Sequence, residues 1–196
     1  MTRVALIRHA QTEWNVARRI QGRHDSPLTP AGEEAAGNWA ATLAPYEFSA
    51  LYCSPLGRAA RTAELVGRGL GLTPVPEPGL VEHEFGQWTG KGIEDLRLSG
   101  ALAPQEALGW AFRPPGGEDR RELLARAWDA LTALAARHEG QSVLAVTHEG
   151  VIRAVLYAIT GRDYLPSEPR MLAPRALHLL SCRGGCLAVE HINLTL

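Results

Sequence analysis

The chain has 196 residues, a formal net charge of −1 and 45% hydrophobic residues. That length has room for one sizeable core, so a single domain over residues 1–196 is expected, with no need of a disulfide or metal staple. The balanced charge supplies no basic stripe for nucleic acid, and no apolar run approaches a membrane span.

The first apolar run, Arg3 to Ile7, reads as a buried strand and passes directly into Arg8-His9. Arg8 interrupts it too early for the apolar core of a signal peptide. Thr29-Pro30 predicts the start of a helix to about Leu43, with Thr as N-cap and Pro at the first helical position. Ala50 to Cys53 is a second strand, ending in a thiol expected to be buried. Ser54-Pro55 predicts a helix opened in the same way, running to about Arg68 and ending at Gly69 and Gly71. Thr73 to Pro76 is a weaker strand, restricted by its prolines.

From about Gly86 to Gly117 the periodicity is poor, and Pro104, Pro114 and Pro115 punctuate it. This segment reads as a small insertion over the site. Its Leu96, Leu98, Leu102, Leu108, Trp110 and Phe112 read as the insertion's own packing. Glu118 to His138 is the longest predicted helix, with Leu123, Leu124, Ala127, Leu131 and Leu134 on one face. A strand from Ser142 to Val146 and a helix from Val151 to Thr160 follow. Ala176 to Ser181 and Leu187 to Leu194, joined by a Gly-rich turn at Arg183-Gly184-Gly185, form an antiparallel hairpin. Its edge could serve a homodimer.

Strands alternating with helices give an α/β class: a three-layer α/β/α domain, its central sheet mostly parallel, with the hairpin at one edge. The three cysteines are Cys53, Cys182 and Cys186, with no CxxC. Cys182 and Cys186 flank the hairpin turn and read as strand residues, not as a disulfide. A reducing cytoplasm is the expected compartment.

Four positions carry candidate chemistry. His9 ends a strand, where open α/β folds keep their sites, and histidine can attack phosphorus while Arg8 holds phosphate oxygens. Arg58 lies just inside a helix predicted to offer free N–H groups to an anion. Glu82, in Glu82-His83-Glu84, is a carboxylic acid that can protonate a departing alkoxide. His148 ends another apolar strand, with the N–H groups of Glu149 and Gly150 predicted to face an incoming anion. There is no zinc-helix or finger spacing, no Gly-x-Ser-x-Gly, no Walker loop and no GxGxxG, so no metal or other cofactor is expected.

Taken together, these residues resemble the histidine phosphatase superfamily, in its phosphoglycerate-mutase-like phosphatase branch. Leu6-Ile7-Arg8-His9-Ala10-Gln11-Thr12 with Asn15 resembles that family's Arg-His-Gly-x-Thr signature. Gln21-Gly22, Asp25, Pro27-Leu28-Thr29 and Gly32 continue the pattern. Ser54-Pro55 with Arg58, then Glu82, Phe85, Gly86 and Trp88, then Pro115-Gly116-Gly117-Glu118, and finally Thr147-His148-Glu149-Gly150 follow in order. Two positions depart: Ala10 stands where Gly is usual, and Thr89 where Glu is common.

The resemblance implies that His9 becomes phosphohistidine and that Arg8, Arg58 and His148 neutralise the phosphoryl oxygens. Glu82 would protonate the leaving group, with Asn15, Gln21, Gly22 and Glu149 lining the pocket. The expected reaction is metal-independent hydrolysis of a small phosphate ester. A phosphoglycerate mutase is the alternative, and a phospholigand-binding module without turnover a third. The insertion holds only Lys91, Arg97 and Arg113 between Gly90 and Pro115, which favours the phosphatase over a mutase with a basic cluster there.

Overall fold

In the computed structural model, which describes residues 1–196, the run Val4-Ala5-Leu6-Ile7 is fully buried and divides between two cores. Side chains alternate across a strand, so Val4 and Leu6 face one layer of helices, Ala5 and Ile7 the other. Val143 and Ala145 against Leu144 and Val146 do the same. A strand apolar on both faces must be covered on both faces, which is why the sheet lies between two helical layers.

The sheet has six strands in the order β3-β2-β4-β1-β5-β6. β1 (Thr2–Arg8), β4 (Ser142–Thr147), β2 (Ala50–Cys53) and β3 (Pro74–Pro76) are mutually parallel; β5 (Ala176–Arg183) and β6 (Cys186–Thr195) complete the edge antiparallel. The proline-rich β3 sits at the opposite edge, where a missing N–H is tolerated. Gly184 and Gly185, at φ +57° and +78°, close the hairpin with Arg183 paired to Cys186. All three cysteines are free thiols.

After a single turn, α1 (Glu13–Val16), helices α2 (Pro30–Leu43) and α3 (Gly57–Leu70) cover one face, α6 (Arg120–Arg137) and α7 (Glu149–Thr160) the other. Thr29 caps α2 through its side chain, as its sequence predicts. The predicted start of α3 is two residues early: the helix opens at Gly57 with no side-chain cap from its own N-cap residue, and it continues past Gly69 to Leu70. α6 opens at Arg120, two residues later than Glu118, because Asp119 and Glu122 form a capping box there. α7 starts at Glu149, directly after its strand.

Between Gly86 and Gly117 the chain forms α4 (Ile93–Leu98), α5 (Leu102–Glu106) and short 3-10 turns. Trp88, Leu96, Leu102 and Phe112 make a small separate core. The expectation that Leu98 and Leu108 share it is wrong: they are 79% and 51% exposed, because Leu98 ends α4, which buries only Leu96, and Leu108 lies in the turn after α5. Trp110 packs instead against the main core, with its indole N–H on Arg162 O.

Candidate active site

Adjacent strands β1 and β4 send their connections to opposite faces, β1 towards α2 and β4 into α7. A crevice opens at their carboxyl ends, as it does wherever neighbouring parallel strands diverge in this way. Arg8 pairs with Thr147, so His9 and His148 leave the sheet side by side, their ring centres 5.2 Å apart. Ser54 follows β2 on the other side of β4, and its Oγ lies 2.7 Å from His148 Nε2. Both imidazoles and Ser54 are buried.

The tautomer of His9 follows from its neighbours. Nδ1 lies 2.8 Å from Ala10 O, a carbonyl that can only accept, so Nδ1 carries the proton. Nε2 therefore presents a lone pair, 3.3 Å from Arg58 Nε–H. Burial, with Arg8 and Arg58 beside it, pushes His9 well below the usual imidazole range. His148 is pushed down chiefly by burial, then by His9 and Arg58; its Nδ1 is buried without a partner.

Arg58 is buried and held from four directions: Nη1 on His24 O at 2.7 Å and Asp25 Oδ1 at 2.9 Å, Nη2 on Gly22 O at 2.6 Å, Nε on His9. Asp25 also accepts from the N–H groups of Gly57 and Arg58, at 2.6 and 3.3 Å. The free helix terminus expected for an anion is thus already capped by a carboxylate. What α3 offers to a ligand is not the helix end but Arg58, through the one N–H of Nη2 that has no protein partner.

Glu82 lies in an irregular segment that α6 clamps. Arg126 donates to Gly79 O, Val81 O and Glu82 O at 2.6–2.9 Å, and pairs with Glu118 at 2.6 Å. The Glu82 carboxyl accepts from His83 N at 2.7 Å and Gly150 N at 3.3 Å. The Gly150 N–H expected to await an anion is therefore aimed at Glu82. A Cβ on Gly150 would run into Glu82 Oε1. Gly150→Ala should displace that carboxyl and cost about 10²-fold in turnover, the lower end for a general acid. Unchanged steady-state kinetics in a folded Gly150→Ala protein would contradict this placement.

These groups open onto a cavity of about 280 Å³. Arg8, His9, Arg58 and Glu82 line it, as do Asn15, Gln21, Gly22 and Glu149; His148 stands behind them. Asn15 is mostly engaged locally, its Oδ1 on Thr12 N in a capping box with Thr12. Gln21 donates to Thr12 Oγ1 at 2.8 Å, and Gly22 contributes its carbonyl to Arg58. Glu149 bridges Arg8 at 2.6 Å and Arg153 at 2.7 Å. Burial pushes its carboxyl up, and the two guanidiniums outweigh that, leaving it below the usual range. Ala10 does not disturb the site: its N–H donates to Thr62 Oγ1 at 3.0 Å. Thr89 Oγ1 is buried without a partner. No group of three or more His, Cys, Asp or Glu is arranged to hold a metal ion.

The buried histidines predict an acid limit on stability. His178, on β5, is pushed down to about 4 by burial, and His9 and His148 shift the same way. With folded values below the unfolded value of about 6.5, the unfolded chain binds more protons in the interval between them. Stability should hold above about pH 6.5 and fall as pH drops towards about 4. Thermal melts across that range check this, and a melting temperature that stays level would contradict it.

Sequence reasoning missed several residues on or behind the cavity wall. Arg120 and Tyr164 line it but lie beside no strand-end motif, and Arg153 lines it from α7, four residues after Glu149. Arg126 carried no local signal, since Glu118 precedes the helix and the carbonyls of Gly79, Val81 and Glu82 lie more than forty residues away.

Comparison with known proteins agrees with this arrangement. The family model of the histidine phosphatase superfamily (branch 1) matches residues 4–195. The probable phosphoglycerate mutase GpmB of Serratia proteamaculans is 35% identical, over 93% of this chain and 82% of its own length. A metal-independent phosphoserine phosphatase of Arabidopsis thaliana is 36% identical, over 82% of this chain and 69% of its own. The solved structure of Bacillus stearothermophilus YhfR superposes with a TM-score of 0.86 at 34% identity, covering 97% of this chain and 96% of that one. With a match this long on a sheet and crevice of this form, the chain belongs to branch 1 of the histidine phosphatase superfamily, a superfamily of enzymes.

Proposed function

We propose that this protein is a phosphomonoesterase that hydrolyses a small phosphate ester through a phosphohistidine on His9. The observation that carries the reading is the unprotonated His9 Nε2, held in a buried crevice beside Arg58 and the unpartnered His148 Nδ1. A buried polar atom with no partner costs about 1–3 kcal/mol, and a phosphoryl oxygen would satisfy it. The Nε2 lone pair attacks phosphorus and the bond to the ester oxygen breaks. Glu82 gives its proton to that oxygen. Water then attacks phosphorus, the P–N bond breaks, and the water's proton passes to Glu82. Arg8, Arg58 and His148 offset the charge on the phosphoryl oxygens throughout, which is where most of the rate in such a transfer arises.

A phosphoglycerate mutase would share these steps but return the phosphoryl group to a second hydroxyl. The insertion's cations favour hydrolysis. Arg97 pairs with Glu94, Arg113 with Asp119 and Glu122, and neither these nor Lys91 lines the cavity. The test is phosphate release from para-nitrophenyl phosphate in EDTA, beside an isomerisation assay on 3-phosphoglycerate. Turnover that EDTA leaves intact, with hydrolysis faster than isomerisation, is expected. Faster isomerisation would replace this reading with the mutase.

A further inference from the structure

Two cations on the cavity wall, Arg19 and Arg120, have no ion pair and no task in the phosphoryl chemistry; Arg19 is exposed, whereas Arg120 is enclosed by aromatic rings. Arg8 and Arg153 share Glu149, and Arg58 is paired with Asp25. Arg120, at the start of α6, has no carboxylate partner. Its guanidinium carbon stands 4.1 Å from the Phe112 ring centre and 4.2 Å from that of Tyr164. Nη1 donates to Gly109 O at 2.8 Å, which leaves the edge formed by Nε and Nη2 without a protein acceptor. Glu106 lines the same wall and makes no ion pair with it. Burial pushes Arg120 down to about 10.

The surroundings hold that guanidinium in place. Tyr164 has φ +64°, a left-handed backbone that non-glycine residues rarely adopt. Its ring packs at 4.8 Å on Trp110 and 4.3 Å on Tyr157. Gly109 has φ +56°, and a Cβ there would run into Asp163 O, so only glycine brings its carbonyl to Arg120. The free edge presents two N–H groups in one plane between aromatic rings. That geometry suits a flat two-oxygen acceptor better than a tetrahedral one.

We propose that Arg120, flanked by Phe112 and Tyr164, binds a carboxylate on the leaving group, so that the substrates are phosphate monoesters of small carboxylic acids. The inference rests on the reading above, in which His9 and its cations hold the phosphoryl group. It makes Arg120 a specificity residue, separate from the transfer itself.

The test measures binding, so that it stands apart from turnover. Calorimetry on the His9→Ala protein compares two ligand pairs that differ at the carboxylate: 3-phosphoglycerate against glycerol 3-phosphate, and O-phosphoserine against O-phosphoethanolamine. At least one carboxylate ligand is expected to bind about tenfold tighter or more than its counterpart, the scale of a charge-assisted contact. Adding Arg120→Gln should reduce that preference to within about threefold, and Arg120→Lys should keep part of it. Melting curves of each variant show that it is folded. Equal affinity within both pairs, or a preference that survives Arg120→Gln, would overturn the proposal. Failure of the hydrolysis assay alone would overturn the phosphomonoesterase and leave this binding result standing.

Discussion

His9→Ala should lower phosphate release by about 10³-fold or more, the scale expected when the attacking group itself is removed. Nothing else in the crevice can take its place. His148 is turned into Ser54, with Nε2 2.7 Å from its Oγ. No other histidine lies there except His83, whose Nε2 donates to Glu118 O at 2.8 Å. The fold should tolerate the change, because Leu6 and Ile7 anchor the strand just before it. Rapid acid- and alkali-quench labelling of the wild type adds a second check: the label should survive alkali, be lost in acid, and be missing from His9→Ala. A His9→Ala protein that keeps a tenth of the activity would remove the phosphohistidine from the mechanism.

Arg58→Ala should lose both activity and stability. The side chain is buried and serves Gly22 O, His24 O, Asp25 and His9 together. Its loss strands two carbonyl oxygens and leaves Asp25 with only the two N–H groups of α3. The two stranded carbonyl oxygens cost about 3 kcal/mol together, and the half-exposed Asp25 adds little. For a chain of this length that lowers the melting temperature by roughly 6–12 °C. Turnover should fall by about 10²–10³-fold, as when one donor to a developing anion is lost. Arg58→Lys should recover little of either, since an ammonium on a flexible stem cannot reach four acceptors at once. Wild-type melting with low activity would assign Arg58 to the chemistry alone; the reverse would assign it to the loop.

The two predictions differ in what the chain reveals on inspection. His9 is legible because a short apolar run delivers it, and strand ends are where such folds expose reactive groups. Arg58 is legible only as a cation near a helix start. Its surroundings are not, because Gly22, His24 and Asp25 lie more than thirty residues away in the chain. The helix terminus beside it looked available for an anion. Asp25 occupies it, and no local pattern announces a cap supplied from so far off.

Local sequence determined the layers and the strand ends. Alternating Val, Leu, Ile and Ala in Arg3–Ile7 and Ser142–Val146 require cover on both faces, and Thr29-Pro30 and Gly184-Gly185 mark a helix start and a hairpin. These are short-range effects of side-chain period and backbone preference. Tertiary structure decided which strand lies beside which. Placing β4 against β1 brings together His9 and His148, 139 positions apart in the chain, and sets Gly150 against Glu82. It also decided that Leu98 and Leu108 stay exposed while Arg120 is enclosed by Phe112 and Tyr164. Burial and the pairing of charges depend on what the rest of the chain places around a residue, and that is absent from its own neighbourhood in sequence.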